Sequence, residues 1–299
     1  MSLKILLTGC TGQVGSEIQR RSTKFGFHLI PHNHSTLDLS NRNEIASVLR
    51  NEEIDLVINA AAYTAVDKAE TEQELAHLTN STGVKYLALI AKDYGVPVFH
   101  ISTDYIFDGL STTAYNESSN PNPQTVYGES KLAGEQHLTT ILPEHIILRT
   151  SWVFGLDGNN FVKTMLRLGE TNDELRVVAD QIGNPTFAGD IAETLLQLAD
   201  QYHRQDSLPW GTYHYCNHGS ISWHSFAERI VQLGHQHKLI KKLPVVVPIS
   251  TSEYPTPATR PSNSSLDCSL FVSTFTNIAI GSWLMGLEHM ISTISGESA

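Results

Sequence analysis

A tyrosine and a lysine four residues apart are the side chains of this sequence best suited to acid–base chemistry. They are Tyr127 and Lys131, in the segment QTVYGESKLAGEQ. Side chains at this spacing lie on one face of a helix. Because a nearby ammonium group favours the phenolate, we expect Lys131 to lower the phenol pKa from its usual value near 10. Such a tyrosine can donate a proton to a carbonyl oxygen as a hydride reaches the carbon; the plainer alternative is an ordinary pair on a surface helix.

A hydroxyl group at the end of a strand could orient the oxygen atom of such a substrate. The segment ISTDYIFDG supplies Ser102 and Thr103 where the predicted strand Val96–Thr103 ends. We prefer Thr103 because it lies one residue nearer the carboxyl end of the strand. Asp104 follows, and the sequence leaves open whether it contacts the substrate or caps a turn.

Three glycines directly after the first predicted strand favour a phosphate-binding turn. Gly9, Gly12 and Gly15 stand in TGCTGQVG, before a predicted helix. Glycine lets the backbone approach a pyrophosphate closely, and the helix N-terminus presents free N–H groups to the anion. The spacing differs from the usual GxGxxG fingerprint, and the alternative is a tight turn without a ligand.

The end of the second predicted strand bears on which dinucleotide would bind. The usual fingerprint has an acidic residue there for the ribose hydroxyls of NAD. The segment IPHNHST has no carboxylate and places Asn33 at about that position. Nothing there would repel a ribose phosphate, so NADPH and NADH both stay open. Asp38, further along, either contacts adenine or begins the turn before the next helix.

Strands and helices alternate in the first half of the chain, which predicts a parallel, doubly wound sheet of the α/β class. The expected strands are Lys4–Thr8, FHLIPH, Ile54–Ala62, Val96–Thr103 and His145–Ser151. Among the expected helices, one has Ser40 as its N-cap, one stops near Gly95, and one carries Tyr127. Ligands of such sheets bind at the carboxyl ends of the strands. The glycine turn, Thr103 and Trp152 all fall at such ends, which indicates a shared site.

The second half of the chain is less regular and predicts a smaller lobe over the edge of the sheet. We place the dinucleotide-binding domain at residues 1–150, rejoined by part of residues 160–205, and the mainly substrate-binding lobe at residues 151–299. Helices are expected for FAGDIAETLLQLADQYH, WHSFAERIVQLGHQ and GSWLMGLEHMISTI, and a strand for LPVVVPIS. The segment EYPTPATRPSNSSLDC should be a loop.

The bulk composition favours a soluble globular protein. The 299 residues are 40% hydrophobic and 17% charged, and no apolar run approaches the ~20 residues that span a bilayer. A net charge of −11 argues against a nucleic-acid-binding surface. The three cysteines are far apart, and the N-terminus shows no signal peptide, so we expect a cytoplasmic protein without a disulfide framework.

Four motifs in order resemble the extended short-chain dehydrogenase/reductases: TGxxGxxG, NAAA, a Ser/Thr after the fourth strand, and YxxxK. Longer segments are similar to the dTDP-4-dehydrorhamnose reductases within that family, namely INAAAYTAVDKAE, STDYIFDG, VYGESKLAGE, LRTSWVFG and YPTPATRPSNSSLD. The resemblance covers nearly the whole chain. It implies a Rossmann-type sheet with a smaller α/β lobe. It also implies reduction, by NADPH or NADH, of the C4 ketone of dTDP-4-dehydro-6-deoxy-L-mannose to dTDP-L-rhamnose.

The same resemblance implies a role for individual residues. Tyr127 would be the general acid, Lys131 its partner and a ribose ligand, and Thr103 the orienting hydroxyl. Further cofactor contacts are implied at Gly9, Gly12, Gln13, Val14, Asp38, Leu39, Ala62, Tyr63 and Thr64, and at Tyr127 itself. Nucleotide-sugar contacts are implied at Thr103, Asp104, Trp152 and Arg260. Thr259 stands where a second arginine is common, which leaves Arg260 to carry more of the diphosphate contact.

Two other functions stay open at this point. Reductases and epimerases of other nucleotide 4-ketosugars share the fold and the Tyr–Lys pair, so the fold cannot decide the substrate. A non-catalytic subunit is the third alternative, because the regulatory partner of methionine adenosyltransferase resembles this family closely. The intact Tyr127, Lys131 and Thr103 argue against that alternative, and turnover of a sugar nucleotide would discriminate.

No metal site is predicted. The segment HYCNH offers His214, Cys216 and His218, but zinc sites usually need a fourth ligand at a recognisable spacing. Some family members dimerise through a metal held by acidic residues, and Glu17 and Asp190 lie in comparable positions. We expect no metal there, and a homodimer stays an open expectation.

Overall fold

The computed structural model describes residues 2–296, in which a large parallel sheet is flanked by helices and followed by short strand pairs. The strands are β1 (Lys4–Thr8), β2 (His28–His32), β3 (Leu56–Asn59), β4 (Val98–Thr103), β5 (His145–Thr150), β6 (Val153–Phe154), β7 (Glu174–Val178), β8 (Ile182–Gly183), β9 (Thr186–Phe187), β10 (Gly211–His214), β11 (Ile221–Ser222) and β12 (Val245–Ile249). The helices are α1 (Gln13–Ser22), α2 (Arg42–Glu52), α3 (Val66–Ala69), α4 (Gln73–His77), α5 (Gly83–Tyr94), α6 (Val126–Ile141), α7 (Phe161–Thr171), α8 (Ala188–Gln205), α9 (Trp223–Gln236), α10 (Ser269–Thr274) and α11 (Trp283–Ser295).

The main sheet has six strands in the order β10-β5-β4-β3-β1-β2, and every neighbouring pair is parallel. The chain runs outward from β1 to β2, then crosses back to place β3 on the other side of β1. The order of strands therefore reverses between β1 and β3. In open α/β sheets the ligand crevice lies at such a point, outside the carboxyl ends of the strands.

Both faces of this sheet are covered, which explains the apolar runs of its strands. Ile5 and Leu7 pack on the face with α1 and α8, whereas Leu6 and Val57 pack on the face with α2 and α5. Successive side chains of a strand point to opposite faces, so a strand buried on both sides must be apolar throughout. The predicted doubly wound α/β architecture is confirmed.

Two helix ends test the sequence interpretation. Helix α5 ends at Tyr94, which confirms the predicted stop near Gly95, and Gly95 is its C-cap with a left-handed φ of +67°. Helix α2 is capped by Asn41, which accepts from the N–H groups of Asn43 and Glu44, so the predicted Ser40 cap is wrong. The Ser40 hydroxyl instead donates to Asp38.

The later elements divide between the sheet and a second core. Helix α8 packs against α1, and β10 pairs with β5 at the sheet edge. The second core, which we call the small lobe, consists of α7, α9, α11 and the parallel pair β7–β12. The sequence analysis did not find α7 or β7. Asn160 is the N-cap of α7, and its side chain accepts from the Lys163 N–H. An asparagine directly before the helix was a sequence signal that could have revealed α7.

Candidate active site

The glycine turn opens the first of two clefts at the carboxyl ends of the main sheet. Gly9 has a φ of +69°, and a Cβ atom there would lie 2.6 Å from the Ala60 backbone. Gly12 is the N-cap of α1 and has no side chain to satisfy the first-turn N–H groups. The turn therefore brings bare backbone and the positive end of the α1 dipole to the cleft, as binding of a pyrophosphate requires.

The first cleft has a volume of about 390 Å³. Most of the predicted cofactor residues line it, together with Asn33 from the end of β2: Gly9, Gly12, Asp38, Leu39, Ala62 and Tyr63. Phosphate-binding backbone at one end and small apolar side chains beside it fit the adenosine half of a dinucleotide.

Asp38 forms the turn that the sequence left as one of two alternatives. Its Oδ1 atom accepts from the Ser40 N–H at 2.9 Å and from the Ser40 hydroxyl at 2.8 Å. These hydrogen bonds lower the pKa of Asp38, so the carboxylate is charged at neutral pH. The residue still lines the cleft, and the turn fixes its position there.

Five of the predicted cofactor residues do not line this cleft, namely Gln13, Val14, Thr64, Tyr127 and Lys131, of which the last two lie on α6. The Gln13 side chain donates to Val153 O and accepts from Asn160 Nδ2, and Val14 is buried in the core. Both belong to the first turn of α1, where they offer backbone N–H groups. Thr64 is exposed and lies outside the residues that line the cleft.

Tyr127 and Lys131 lie on the first turns of α6, where the Thr125 hydroxyl caps the helix by accepting from the Gly128 N–H. Both side chains are buried. Lys131 Nζ donates to Ile101 O at 2.7 Å and lies 3.3 Å from His100 Nε2. Both groups belong to β4, so this strand fixes the position of the lysine Nζ atom.

The expectation that Lys131 lowers the Tyr127 pKa is wrong for the protein without ligands. Burial raises the pKa of Tyr127 to about 12, and a hydrogen bond with the Thr103 hydroxyl only partly opposes the rise. Burial also lowers the pKa of Lys131 to about 8. Removal from water is the largest cause of the raised Tyr127 pKa, and Lys131 is not among the groups that lower it. The phenol is protonated at neutral pH, which is the form that a proton donor needs.

Thr103 is the last residue of β4, Asp104 follows it, and both side chains lie close enough to the Tyr127 phenol to shift its pKa. The Thr103 hydroxyl is 3.1 Å from Asp104 Oδ1, and its oxygen accepts from the Tyr105 N–H at 3.2 Å. Ser102, the other hydroxyl considered, is also buried, but only Thr103 affects the Tyr127 phenol. This placement supports the choice of Thr103 over Ser102 as the orienting hydroxyl.

The second cleft, of about 400 Å³, lies between the main sheet and the small lobe. Trp152, at the end of β5, lines it and has an unusual φ of +48°. Its ring stacks on Trp223 with a centroid distance of 3.5 Å. Tyr105 also lines this cleft, and its ring contacts Tyr127 edge-on at 5.5 Å. The predicted acid therefore adjoins the cleft through Tyr105.

Arg260 places a positive charge on the wall of the second cleft. Its Nη2 atom donates to Asp67 Oδ2 at 2.6 Å, and its Nη1 atom has no hydrogen-bond partner among residues 2–296. A guanidinium group with an unused donor is suited to a phosphate oxygen.

Sequence reasoning missed several residues of the second cleft, including Asp67, Tyr105, Phe161 and Trp223. Asp67 and Tyr105 stood within the quoted segments after β3 and β4, so their location was a usable signal. Phe161 and Trp223 begin helices of the small lobe, and only its packing brings them to the cleft.

The candidate metal ligands do not assemble. Glu17 pairs with Arg20 and Arg21, and Asp190 accepts from Asn217. Within the part of the chain that the structure describes, no group of three or more His, Cys, Asp or Glu side chains could hold a metal ion.

Burial of Asp104 leads to a stability prediction. Its pKa is raised by burial from 3.8 to about 6, so the folded state binds more protons than the unfolded state between these values. Stability from this group is lost as the pH rises through that window. We expect Asp104→Asn to stabilise the fold by about 1–3 kcal/mol near pH 8 and to have little effect below about pH 4.

Urea unfolding of the variant and the parent at both pH values would measure this difference. Asp157→Asn, a change at a more exposed carboxylate, serves as the control. A difference between Asp104→Asn and the parent that does not change with pH would contradict the expected burial cost.

Fold and site together define a Rossmann-type protein of the class that contains nucleotide-sugar reductases and epimerases. The profile of the family described as RmlD substrate binding domain matches residues 3–295, and the chain belongs to that family. A dTDP-4-dehydrorhamnose reductase from Aggregatibacter actinomycetemcomitans is 41% identical, over 96% of this chain and 98% of the relative.

Solved structures agree with this assignment. A dTDP-4-dehydrorhamnose reductase from Clostridium acetobutylicum superposes with a TM-score of 0.90 at 38% identity, covering 98% of this chain and 99% of that one. One from Bacillus anthracis, in complex with NADP, gives a TM-score of 0.90 at 35% identity and covers 98% and 100% of the two chains. The similarity thus extends across both clefts.

Proposed function

We propose that the chain catalyses the NAD(P)H-dependent reduction of the C4 ketone of dTDP-4-dehydro-6-deoxy-L-mannose to dTDP-L-rhamnose. The observation that carries the proposal is a protonated, buried Tyr127 that packs with Tyr63 of the glycine-turn cleft and with Tyr105 of the second cleft. The names of the full-length relatives supply the particular sugar.

Each residue of the site has a separate role in the proposed reaction. A bound reduced nicotinamide would supply the hydride. The glycine turn and the first turn of α1 would hold its phosphates, with Lys131 on the ribose. Thr103 would orient the ketone oxygen, and Tyr127 would donate a proton to that oxygen. Trp152 and Arg260 would hold the nucleotide sugar in the second cleft, away from bulk water.

The direct test follows absorbance of the reduced nicotinamide. Purified protein is mixed with NADPH or NADH and with enzymatically generated dTDP-4-dehydro-L-rhamnose. Oxidation that needs both components supports the proposal and ranks the two cofactors. A folded protein that binds NADPH but oxidises none would point to another nucleotide 4-ketosugar or to a non-catalytic subunit.

Replacement of Arg260 should affect nucleotide-sugar binding more than chemistry. We expect Arg260→Met to raise KM for the nucleotide sugar about tenfold or more, because a charge-assisted hydrogen bond contributes ~1.5–3 kcal/mol. KM for NADPH should stay unchanged, since Arg260 lines only the second cleft. Steady-state kinetics with each substrate varied in turn would measure both constants.

The matched control is Arg176→Met, at a more exposed arginine that also lines the second cleft and pairs with Glu253. An equal rise of KM in both variants would show that general positive charge in the cleft, rather than Arg260, binds the substrate.

Location and assembly are further parts of the proposal. No described helix is both long and apolar enough to cross a membrane. We propose that the protein acts in the cytoplasm, as biosynthesis of a nucleotide sugar from cytoplasmic precursors would require, and that it forms a homodimer. Sedimentation of the purified protein would give its mass in solution, and a monomer at micromolar concentration would exclude a stable dimer.

A further inference from the structure

A chain of buried polar side chains runs through the sheet behind Lys131. The Thr8 hydroxyl donates to Asn59 Oδ1 at 2.6 Å, and Asn59 Nδ2 lies 2.9 Å from His100 Nδ1. His100 Nε2 lies 3.3 Å from Lys131 Nζ. The four side chains come from β1, β3, β4 and α6, and each is at most 2% exposed.

The direction of the hydrogen bonds in this chain is fixed by one backbone group. The Ala61 N–H donates to Asn59 Oδ1 at 3.2 Å, and a backbone N–H can only donate. The other end of the Asn59 amide, Nδ2, must therefore face His100. An amide nitrogen is also a donor only, so His100 Nδ1 must accept. A neutral imidazole whose Nδ1 accepts carries its proton on Nε2.

The protonated Nε2 atom of His100 has a consequence for Lys131. An ammonium group has three donors and no acceptor, so its N–H groups would meet the imidazole N–H. The neutral amine has a lone pair and can accept that N–H. Both forms of the lysine can donate the second hydrogen bond of Nζ, to Ile101 O at 2.7 Å, and the ammonium makes the stronger one, so the contact with His100 is the one that opposes the ammonium. The geometry at His100 therefore favours the neutral amine.

The other charged groups near this pair do not reverse the preference. Glu135, one turn further along α6, attracts the lysine ammonium, but its carboxylate is engaged with the Arg149 guanidinium at 2.7 Å. His145 on β5 lies close enough to His100 to oppose its protonation, as Lys131 does. Burial lowers the pKa of His100 well below its usual value, so the ring is neutral throughout the working range of pH.

We propose that His100 is a positioning residue for the reaction assigned above, and that its Nε2–H faces Lys131 Nζ and thereby makes the lysine ammonium readier to release its proton. The hydrogen-bond argument for His100 and Lys131 does not depend on the proposed function. Only the use of the Lys131 proton in the reaction rests on it. When Tyr127 has given its proton to the substrate oxygen, Lys131 in its ammonium form, one turn further along α6, can supply the replacement proton. The amine that remains accepts the His100 N–H until water returns the proton to it.

The test is the titration of Lys131 in two variants. His100→Gln can turn an amide oxygen toward the ammonium, and His100→Asn keeps an acceptor for Asn59 while it withdraws the donor from Lys131. In protein with ¹³C-labelled lysine, the Cε signal is followed against pH by NMR. The spectrum of Lys131→Arg identifies which signal belongs to Lys131.

We expect a midpoint near 8 in the parent and a rise of about one pH unit in each folded variant, because the opposing N–H is gone. His145→Gln, at a buried histidine without a contact to Lys131, should leave the midpoint unchanged. A midpoint that stays unchanged in both His100 variants overturns the proposal. A rise in His145→Gln as large as in the His100 variants overturns it as well, since loss of any buried imidazole would then suffice.

The pH profile of kcat gives a second readout. Its alkaline limb should move in the same direction as the lysine midpoint in the His100 variants. The NMR titration needs no ketosugar substrate, so it decides the role of His100 even if the proposed reaction fails. Conversely, turnover of the ketosugar with an unaltered lysine titration would leave the proposed function standing and reject the role of His100.

Discussion

Tyr127→Phe is expected to lower kcat for ketosugar reduction by roughly 10²–10⁴-fold, the usual contribution of a positioned general acid. The substitution removes only the phenol oxygen and keeps the ring that packs against Tyr105. Affinity for NADPH, measured by quenching of protein fluorescence, should therefore change little. The rate is measured from the absorbance of the reduced nicotinamide at saturating concentrations of both substrates.

A matched control for this variant is Tyr94→Phe, which removes a phenol oxygen from a half-exposed ring at the end of α5. It should keep the parent kcat. If Tyr127→Phe also turned over within a factor of about two of the parent, the assignment of Tyr127 as the general acid would be wrong.

Arg149→Met is expected to destabilise the fold by about 3–5 kcal/mol, because it leaves the Glu135 carboxylate buried without its cation. The Arg149 guanidinium binds both carboxylate oxygens of Glu135, with three N···O distances between 2.7 and 3.1 Å. Both side chains are under 10% exposed. The pair joins β5 to α6, so its loss removes a contact that fixes the helix carrying the proposed acid. Equilibrium unfolding in urea would measure the change in free energy.

Two further variants separate the cost of an unpaired charge from the loss of packing. The double variant Arg149→Met/Glu135→Leu should recover most of the stability, since a buried ion pair replaced by apolar side chains is often neutral. Arg204→Met breaks an exposed pair with Asp200 and should change stability little. A double variant that is no more stable than Arg149→Met alone would contradict the interpretation.

The sheet could be read from the sequence because its signals are local. Strand β1 is an apolar run followed by glycines, and Gly95 marks the end of α5 in the chain itself. The position of β10 beside β5 could not be read in this way, because it follows from pairing across more than sixty residues of sequence. Periodicity does not reveal which strand will occupy a free edge.

The candidate site likewise has features that the sequence reveals and features that depend on the folded structure. Tyr127, Lys131 and Thr103 were found because their types, spacing and positions at strand ends are visible in the chain. The effect of the lysine on the phenol was misjudged, since spacing gives proximity but not burial, and burial sets both pKa values here. The role proposed for His100 depends on a chain of hydrogen bonds through three strands, which no sequence pattern encodes.

The edge strand β10 also constrains how the protein can be made. It follows α8 in the chain, so the six-stranded sheet cannot be completed until residues beyond α8 have been synthesised. While the ribosome is still synthesising residues 151–210, β5 presents an unpaired edge to the cell. The small-lobe helix α7 emerges during that interval, before the sheet can close. The β5 edge of the nascent chain therefore stays unpaired until a strand past two-thirds of the chain length has been synthesised. Chaperones that bind exposed strand edges would act on the chain during that interval.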